Sequence, residues 1–193
     1  MLNLRYPRKS AADHSRDLPS LTVGLLTRLS RGILSPRVTR VNLRVMTSNW
    51  RHNLINDSTQ MRELLTQTKT IAVLGIKTEA QSNQPAFYVP SYMQNAGFKI
   101  IPVPVYYPEV TEILGETVHR TLAEIPGDVD MVNVFRRPQD IPPHVDDIIA
   151  KIPKSVWMQL GIYHDEVARQ LAEAGIKVVQ DRCLMVDHRR LMF

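Results

Sequence analysis

The chain has 193 residues, which predicts one domain with room for a short additional segment. It is 44% hydrophobic and 22% charged, an ordinary composition for a globular protein with a packed core. No uninterrupted apolar run reaches the roughly 18 residues that a membrane-spanning helix needs, so no membrane span is predicted. The single cysteine, Cys183, excludes an internal disulfide framework.

The charge is unevenly distributed along the chain. Residues 1–51 contain nine Arg and one Lys against two acidic residues, a net charge of +8. Residues 52–193 contain 14 basic and 17 acidic groups, a net charge of −3. Because nucleic-acid binding requires a clustered basic surface that neutralises phosphates, the composition of this second part argues against a nucleic-acid partner.

The basic leader, residues 1–51, is rich in Arg and Ser and has the composition of an organelle transit peptide. Residues 21–30 (LTVGLLTRLS) are predicted to form a short amphipathic helix. We therefore expect targeting to the mitochondrion or another organelle. An untargeted disordered tail on a cytoplasmic protein, or translation that starts at Met46, is left as an open alternative.

Helical and strand patterns alternate after the leader. Proline inside the second predicted helix, at Pro90, suggests a kink or a late start, and the prolines of the second predicted strand favour an edge strand or a strand end. A short helical turn is expected at 122–125. The predicted helices cover 58–68, 85–95, 142–150 and 164–174, and the predicted strands cover 70–76, 99–105, 131–135, 155–160 and 177–180.

Helices of about ten residues between buried strands imply right-handed crossovers and a parallel sheet covered on both faces. The sequence therefore predicts a doubly wound α/β domain at residues 58–193, with about five parallel strands and helices on both faces. Ligands of such a sheet bind outside the carboxyl ends of the strands. This rule selects four loops: GIKT at 75–78, PVYY at 104–107, FRRP at 135–138 and QLGI at 159–162.

The first of these loops follows a strand without the glycines of a dinucleotide fingerprint or a P-loop. Gly75 allows a sharp turn, and backbone N–H groups at the start of the next helix can meet a phosphate. Lys77 and Thr78 add a cation and a hydroxyl group. A purely structural turn is an equally open interpretation of this single glycine.

Two arginines, Arg136 and Arg137, directly follow the third predicted strand. Two guanidinium groups at this edge can clamp a phosphate. The alternative is a salt bridge to Asp140, Asp146 or Asp147, and one arginine of the pair can serve each purpose.

The C-terminal run at 180–190 (QDRCLMVDHRR) contains most of the reactive residue types. Cys183 and His188 are too few for a structural zinc site, and a nucleophilic pair would need direct hydrogen-bond contact. We expect a buried thiol and a packed histidine that close the sheet. Neither catalytic nor metal-binding residues are predicted.

These segments together resemble the small single-domain CoA-binding proteins, stand-alone relatives of the CoA-binding domain in the α subunit of succinyl-CoA synthetase. The resemblance spans about 70–191. It is carried by IAVLGIK (71–77), IIPVPVYYPEVTEILGE (100–116), IPGDVDMVNVFRRPQDIP (125–142), VWMQLGI (156–162) and DRCLMVDHRRL (181–191).

The resemblance implies a Rossmann-like fold that binds coenzyme A or an acyl-CoA along the carboxyl edge of the sheet. The first loop would surround the CoA pyrophosphate, the second would flank the adenine or ribose, the third would contact the nucleotide or the pantetheine arm, and the fourth would line the floor. The implied residues are, in that order, Gly75, Ile76, Lys77 and Thr78; Pro104 and Val105; Phe135, Arg136 and Arg137; and Gln159 and Gly161.

The chain also departs from the family. Relatives commonly have a small residue and then serine after the loop glycine, where this chain has Ile76 and Lys77. A bulky Ile76 could narrow the pocket, whereas Lys77 could strengthen a phosphate contact.

The synthetase reaction needs a phosphorylatable histidine on a separate domain and a partner subunit, and neither is evident here. The resemblance therefore implies a binding module rather than an enzyme, which could be a homo-oligomer. Two alternatives stay open. One is a nicotinamide-dependent oxidoreductase, and the other is a redox-responsive protein that forms a mixed disulfide with CoA through Cys183.

Overall fold

The computed structural model describes residues 49–193. The amphipathic helix predicted at 21–30, and nearly all of the basic leader, lie outside the described residues. In the part of the chain that the structure describes, no helix combines the length and the hydrophobicity needed to cross a lipid bilayer.

Within residues 49–193, five parallel strands form the main sheet and two short antiparallel strands form a separate hairpin. The strands are, in chain order, β1 (Thr70–Leu74), β2 (Lys99–Val103), β3 (Glu112–Ile113), β4 (Glu116–Thr117), β5 (Met131–Val134), β6 (Ser155–Met158) and β7 (Lys177–Val179). The order in the main sheet is β2-β1-β5-β6-β7, and β3 pairs with β4. The strand order reverses at β1, so the crevice expected for a ligand lies between the carboxyl ends of β1 and β5.

Helices cover both faces of the sheet. They are α1 (Ser58–Gln67), α2 (Pro85–Asn95), α3 (Val145–Lys151), α4 (Asp165–Glu173) and α5 (Leu184–Met192). The apolar side chains of α1, α2 and α5 pack on one face, and those of α3 and α4 pack on the other. This arrangement confirms the predicted α/β, Rossmann-like doubly wound fold.

The side chains of β1 alternate between two apolar clusters, one on each face of the sheet. Ile71 and Val73 belong to the apolar cluster under α1, α2 and α5, whereas Ala72 and Leu74 belong to the cluster under α3 and α4. All four are buried. A parallel strand buried on both faces reads as a continuous apolar run, which is why the pattern identified it.

Each of the five predicted strands is one or two residues too long at its carboxyl end. The apolar pattern continues past the true strand ends, which are at Leu74, Val103, Val134, Met158 and Val179. At the first of these ends the next residue, Gly75, turns the chain with a φ of 89°. The residues that were wrongly added to the strands belong to the loops at the carboxyl edge.

The remaining predicted segments agree with the structure only in part. The short turn expected at 122–125 is present and is closed by a hydrogen bond from Ile125 N to Leu122 O (3.2 Å). The segment at 142–150 begins with a 3-10 turn, Pro142–His144, before α3. The C-terminal run contains the helix α5, which was not predicted, and the β3–β4 hairpin was missed as well.

Proline does not delay the start of α2, which includes Pro90 in its interior. Proline has no N–H group, so the carbonyl of Ala86, four residues earlier, lacks its usual donor in the helix. That carbonyl accepts a hydrogen bond from the backbone N–H of Lys77 (3.1 Å). The proline therefore leaves an acceptor free that ties the loop after β1 to the first turn of α2.

Candidate functional site

The loop after β1 is held against two neighbouring strand ends. The N–H of Gly75 donates to Val103 O at the end of β2 (2.8 Å). A Cβ atom at Gly75 would lie 2.5 Å from Phe135 O and 3.0 Å from Arg136 Cδ, at the end of β5. This close approach, together with the positive φ, explains why the position requires glycine.

Lys77 is placed by this loop among aromatic side chains of the loop after β2. Its Nζ lies 3.2 Å from the hydroxyl of Tyr107, and it also lies 5.3 Å from the ring centre of Tyr106 and 5.4 Å from that of Tyr107. Both separations are within the range of a cation–π contact. The predicted cation of the first loop is therefore oriented towards the second loop.

The other two residues of the first loop have structural roles. Ile76 is 1% exposed and packs into the core under α1, α2 and α5, so it does not narrow the crevice as the sequence suggested. The Oγ1 atom of Thr78 lies 2.7 Å from Gln81 Oε1, at the start of the 3-10 turn Glu79–Gln81.

A cavity of about 410 Å³, which we call the α2 cleft, opens on the α2 side of the sheet edge. It is bounded by the first turn of α2, the loops after β5 and β6, and the residue before α5. Its walls are largely apolar and its mouth carries two arginines. The lining residues are Gln84, Pro85, Ala86, Tyr88, Val89, Phe135, Arg136, Arg137, Pro138, Gln159, Leu160, Gly161, Ile162 and Cys183.

The two arginines of the cleft differ in their environment. The side chain of Arg137 is 72% exposed, and its Nε donates to Asp140 at 2.8 Å. This hydrogen bond, reinforced by the negative charge of Asp140, raises the pKa of Arg137. The side chain of Arg136 is only 11% exposed and its Nη2 lies 3.8 Å from Asp140. Its buried Nε has no hydrogen-bond partner in the described part of the chain.

One amide that lines the α2 cleft, that of Gln159, is paired with the buried amide of Asn133, which does not itself line the cleft. Gln159 Nε2 donates to Asn133 Oδ1 (3.2 Å), and Gln159 Oε1 accepts from the N–H of Leu184 (3.3 Å). The Nδ2 atom of Asn133 is buried and has no partner among residues 49–193. Buried donors are nearly always satisfied in folded proteins. An unsatisfied donor beside a cleft therefore indicates a position where a ligand or water can accept.

A hydrogen bond from Gly161, one of the two glycines predicted for the site, fixes the turn after β6. Gly161 adopts a φ of 79°, and its N–H donates to Asp181 Oδ1 (2.6 Å). This contact joins the loop after β6 to the loop after β7 and shapes one wall of the α2 cleft.

A second cavity of about 480 Å³, the β2 pocket, lies between the end of β2 and the start of α3. Its lining includes Pro104, Val105, Tyr106 and His144. Burial, reinforced by the positive charge of Arg136, lowers the pKa of His144.

The two cavities flank one contact. The guanidinium carbon of Arg136, which lines the α2 cleft, lies 5.4 Å from the ring centre of Tyr106, which lines the β2 pocket. A side-chain hydrogen bond from Arg136, and then its charge, lower the pKa of Tyr106.

The predicted site residues fall into three groups. Those after β5 and β6 line the α2 cleft, the two after β2 line the β2 pocket, and 75–78 form the loop that joins the strand ends. The prediction missed Asn133, and it selected the loop at 104–107 without giving roles to Tyr106 and Tyr107 within it. A polar residue inside the apolar run MVNVF was the signal that could have identified Asn133.

The two reactive residues of the C-terminal run are separated by the structure. Cys183 is only partly buried and lines the α2 cleft, so the prediction of a buried thiol is wrong. His188 is 4% exposed, as predicted for a packed histidine, and its Nδ1 lies 3.0 Å from the hydroxyl of Tyr92. Over residues 49–193, no group of three or more His, Cys, Asp or Glu side chains is placed to hold a metal ion.

Comparison with known proteins assigns this architecture to a family. Residues 69–189 match the family described as CoA binding domain. The uncharacterized protein YneT of Bacillus subtilis (strain 168) is 34% identical over 129 residues, which are 67% of this chain and 92% of YneT.

Two solved structures share the fold along nearly their whole length. One is that of cell-free ID.343 from Thermus thermophilus, with a TM-score of 0.65 and 40% identity over 70% of this chain and 99% of that chain. The other, a hypothetical protein from Pyrococcus horikoshii OT3, has a TM-score of 0.65 and 30% identity over 72% of this chain and 94% of that chain. With its parallel sheet, its edge crevice and these relatives, the chain belongs to the CoA binding domain family.

Proposed function

We propose that this protein binds coenzyme A or an acyl-CoA at the carboxyl edge of its sheet, as a binding module rather than as a ligase. The observation that carries the proposal is the buried Nε of Arg136, a charged donor without a partner in the described part of the chain, at the mouth of an apolar cleft. The family assignment supports CoA as the ligand.

The phosphates of the ligand are assigned to the crevice near Arg136 and the first turn of α2. The first backbone N–H groups of a helix attract anions, and α2 begins without a side-chain cap. Lys77 adds a second positive charge on the other side of the first loop. Arg136 and Lys77 therefore provide positive charges for the phosphates in a chain that lacks the glycine-rich loop of a dinucleotide fold.

The two cavities then accommodate the two ends of the ligand. The pantetheine arm has an apolar backbone with amide groups, which suits the apolar walls of the α2 cleft and the amide of Gln159 that lines it. The adenine is assigned to the β2 pocket, where Tyr106 offers an exposed aromatic face beside Pro104 and Val105.

Isothermal titration with CoA, acetyl-CoA, NAD and ATP tests the proposal. We expect heat with the CoA species and weaker binding of NAD and ATP. At a hundredfold excess over the dissociation constant, CoA should stabilise the protein by about 2.7 kcal/mol. The absence of both heat and stabilisation with every CoA species up to millimolar concentrations would refute CoA binding. Tighter binding of NAD than of CoA would favour an oxidoreductase instead.

A comparison of arginine variants locates the site. Arg136→Gln removes a charged, buried donor, and hydrogen bonds to charged groups contribute about 1.5–3 kcal/mol, so CoA should bind roughly ten- to a hundredfold more weakly. Arg137→Gln should cost less, because Arg137 is exposed and paired with Asp140. Arg169→Gln, on the surface of α4 and paired with Glu166, is the matched control. Equal affinities for the first and last variants would remove Arg136 from the site.

We also propose that the basic leader targets the protein to an organelle, with mitochondria as the first expectation. Its composition supports this proposal. A fluorescent reporter fused behind residues 1–60 tests it, since a diffuse cytosolic signal would contradict targeting.

A further inference from the structure

Cys183 has no role in the binding proposed so far, although its position invites one. It is the single cysteine of the chain, it is partly exposed, and it lines the α2 cleft at the residue immediately before α5. His188 lies five residues further along the chain. Its Nδ1 lies 3.0 Å from the hydroxyl of Tyr92, so it does not act as a base paired with the thiol.

Independent observations indicate what reaches this thiol. Within residues 49–193, two buried donors have no hydrogen-bond partner. One is the Nε of Arg136, at the mouth of the cleft. The other is the Nδ2 of Asn133, a residue that is 1% exposed. Asn133 is bonded to Gln159, and Gln159 in turn accepts the N–H of Leu184, the residue after Cys183. Arg136, Gln159 and Cys183 all line the α2 cleft, so one free donor lines the same cleft as the thiol and the other is bonded to a residue that does.

A ligand with an anionic head, amide groups along its arm and sulfur at its end can contact the polar groups of this cleft together. Phosphate oxygens can accept from Arg136, an arm amide can contact Gln159, and the terminal sulfur can reach the part of the cleft lined by Cys183. CoA has these groups in this order, and the apolar walls contact the methylene and methyl groups of the arm.

Resting on the proposed function, we propose that Cys183 is a covalent attachment site for CoA through a mixed disulfide. The oxidant is a CoA-containing disulfide such as the symmetrical CoA disulfide. The thiolate of Cys183 attacks one sulfur of that disulfide, the new Sγ–S bond forms, and the original S–S bond breaks. One CoA leaves as a thiolate, which takes up the proton that Cys183 released, so one disulfide is exchanged for another.

The charged groups near Cys183 are paired with one another. The thiol lies immediately before α5. Asp187, in the first turn of α5, is 5% exposed and would oppose a thiolate if it were unpaired. Its carboxylate is instead bonded to Arg190 (2.8 Å) and lies 3.4 Å from Arg182. The carboxylate is therefore neutralised by two guanidinium groups.

The absence of any second cysteine from the sequence determines the fate of the adduct. No thiol of the same chain can attack the mixed disulfide, so an external thiol must release the CoA. The attachment is then a reversible modification that follows the ratio of CoA disulfide to reduced thiol, rather than one step of a catalytic cycle.

The test compares three disulfides on the full-length, reduced protein: CoA disulfide, oxidised glutathione and cystamine. Intact-mass spectrometry follows adduct formation with time. We expect one CoA per chain, reversed by dithiothreitol, and formation at least tenfold faster than the glutathione adduct, because binding of the ADP head raises the local concentration of the disulfide. Adenosine 3′,5′-bisphosphate should slow the reaction with CoA disulfide and leave the cystamine reaction unchanged.

Controls separate this inference from the binding proposal. In guanidinium chloride the preference for CoA disulfide should disappear, and Cys183→Ser should form no adduct. Titration of reduced CoA in the presence of a reductant measures reversible binding alone. Reversible binding without an adduct would overturn the covalent inference and retain CoA binding, whereas equal rates with all three disulfides, or a covalent dimer of the chain, would show a thiol that the cleft does not select. Absence of reversible binding would overturn both proposals.

Discussion

The glycine that ends β1 offers a direct test of how the site is assembled. Gly75→Ala places a Cβ 2.5 Å from the carbonyl oxygen of Phe135 and 3.0 Å from Cδ of Arg136. The first distance is to a backbone atom, so the main chain at the end of β5 must move. The substitution also imposes a side chain on a φ of 89°.

The two effects can be separated with a second glycine. A non-glycine residue at positive φ costs about 1–2 kcal/mol, and overpacking that shifts the backbone costs about 1–3 kcal/mol more. Gly97 has a φ of 95°, and a Cβ there would meet nothing within 4 Å. Gly97→Ala should therefore show the conformational cost alone. We expect a loss of about 1–2 kcal/mol for Gly97→Ala and about 2–5 kcal/mol for Gly75→Ala.

Urea unfolding measures both losses as shifts in midpoint at equal slope. Titration with CoA adds a second readout, because the displaced Phe135 and Arg136 belong to the α2 cleft whereas Gly97 lies at the far end of α2. Gly75→Ala should weaken CoA binding and Gly97→Ala should not. If the two variants lose the same stability and bind CoA equally, the close approach of the β1 and β5 loops does not organise the site.

Three other predictions concern the surrounding scaffold. Burial raises the pKa of Asp130, but hydrogen bonds from Lys154 and from the start of β1 outweigh it and lower the pKa to about 2. The Asp130 carboxylate therefore contributes about 2 kcal/mol to the free energy of unfolding above pH 4, and this contribution is lost as the pH falls towards 2. In urea unfolding, Asp130→Asn should be less stable than wild type at pH 7 and equal to it near pH 2. Burial lowers the pKa of His188, so stability should fall as the pH drops below its ordinary value of 6.5, and His188→Phe should reduce that dependence in urea unfolding. Pro90→Ala restores an N–H that competes for the acceptor of Lys77, and amide hydrogen exchange should become faster at Lys77; an unchanged rate would contradict the tether.

The fold was predictable because each strand of the sheet is a short apolar run between helical patterns. The order β2-β1-β5-β6-β7 follows from crossover rules only once the fold class is known, and the pattern cannot show where a strand stops. Val105 and Leu160 extend such runs in the sequence, yet both are exposed loop residues in the structure. Apolar residues form both the core and the walls of a ligand cleft. At the carboxyl edge of the sheet, an apolar sequence pattern therefore cannot distinguish the end of a strand from a loop that lines the cleft.

The site was predictable as a set of loops and not as a set of contacts. The sequence placed Arg136 and Arg137 together, but only the fold shows that one is buried and the other pairs with Asp140. Ile76 follows the loop glycine and was expected near the ligand, whereas the turn at Gly75 directs it into the core. Such outcomes depend on the direction in which a side chain leaves the backbone, which composition and spacing do not record.

The role of Pro90 explains how the first loop can do without a glycine-rich sequence. In a dinucleotide fold, glycines let the backbone of the loop approach the next helix. Here the carbonyl of Ala86, left free by Pro90, takes the N–H of Lys77 and draws the loop onto the first turn of α2. The loop is thereby held with ordinary residues in it, and one of them can be a lysine. A proline that interrupts the helical pattern therefore provides the acceptor that holds the lysine-containing loop against α2.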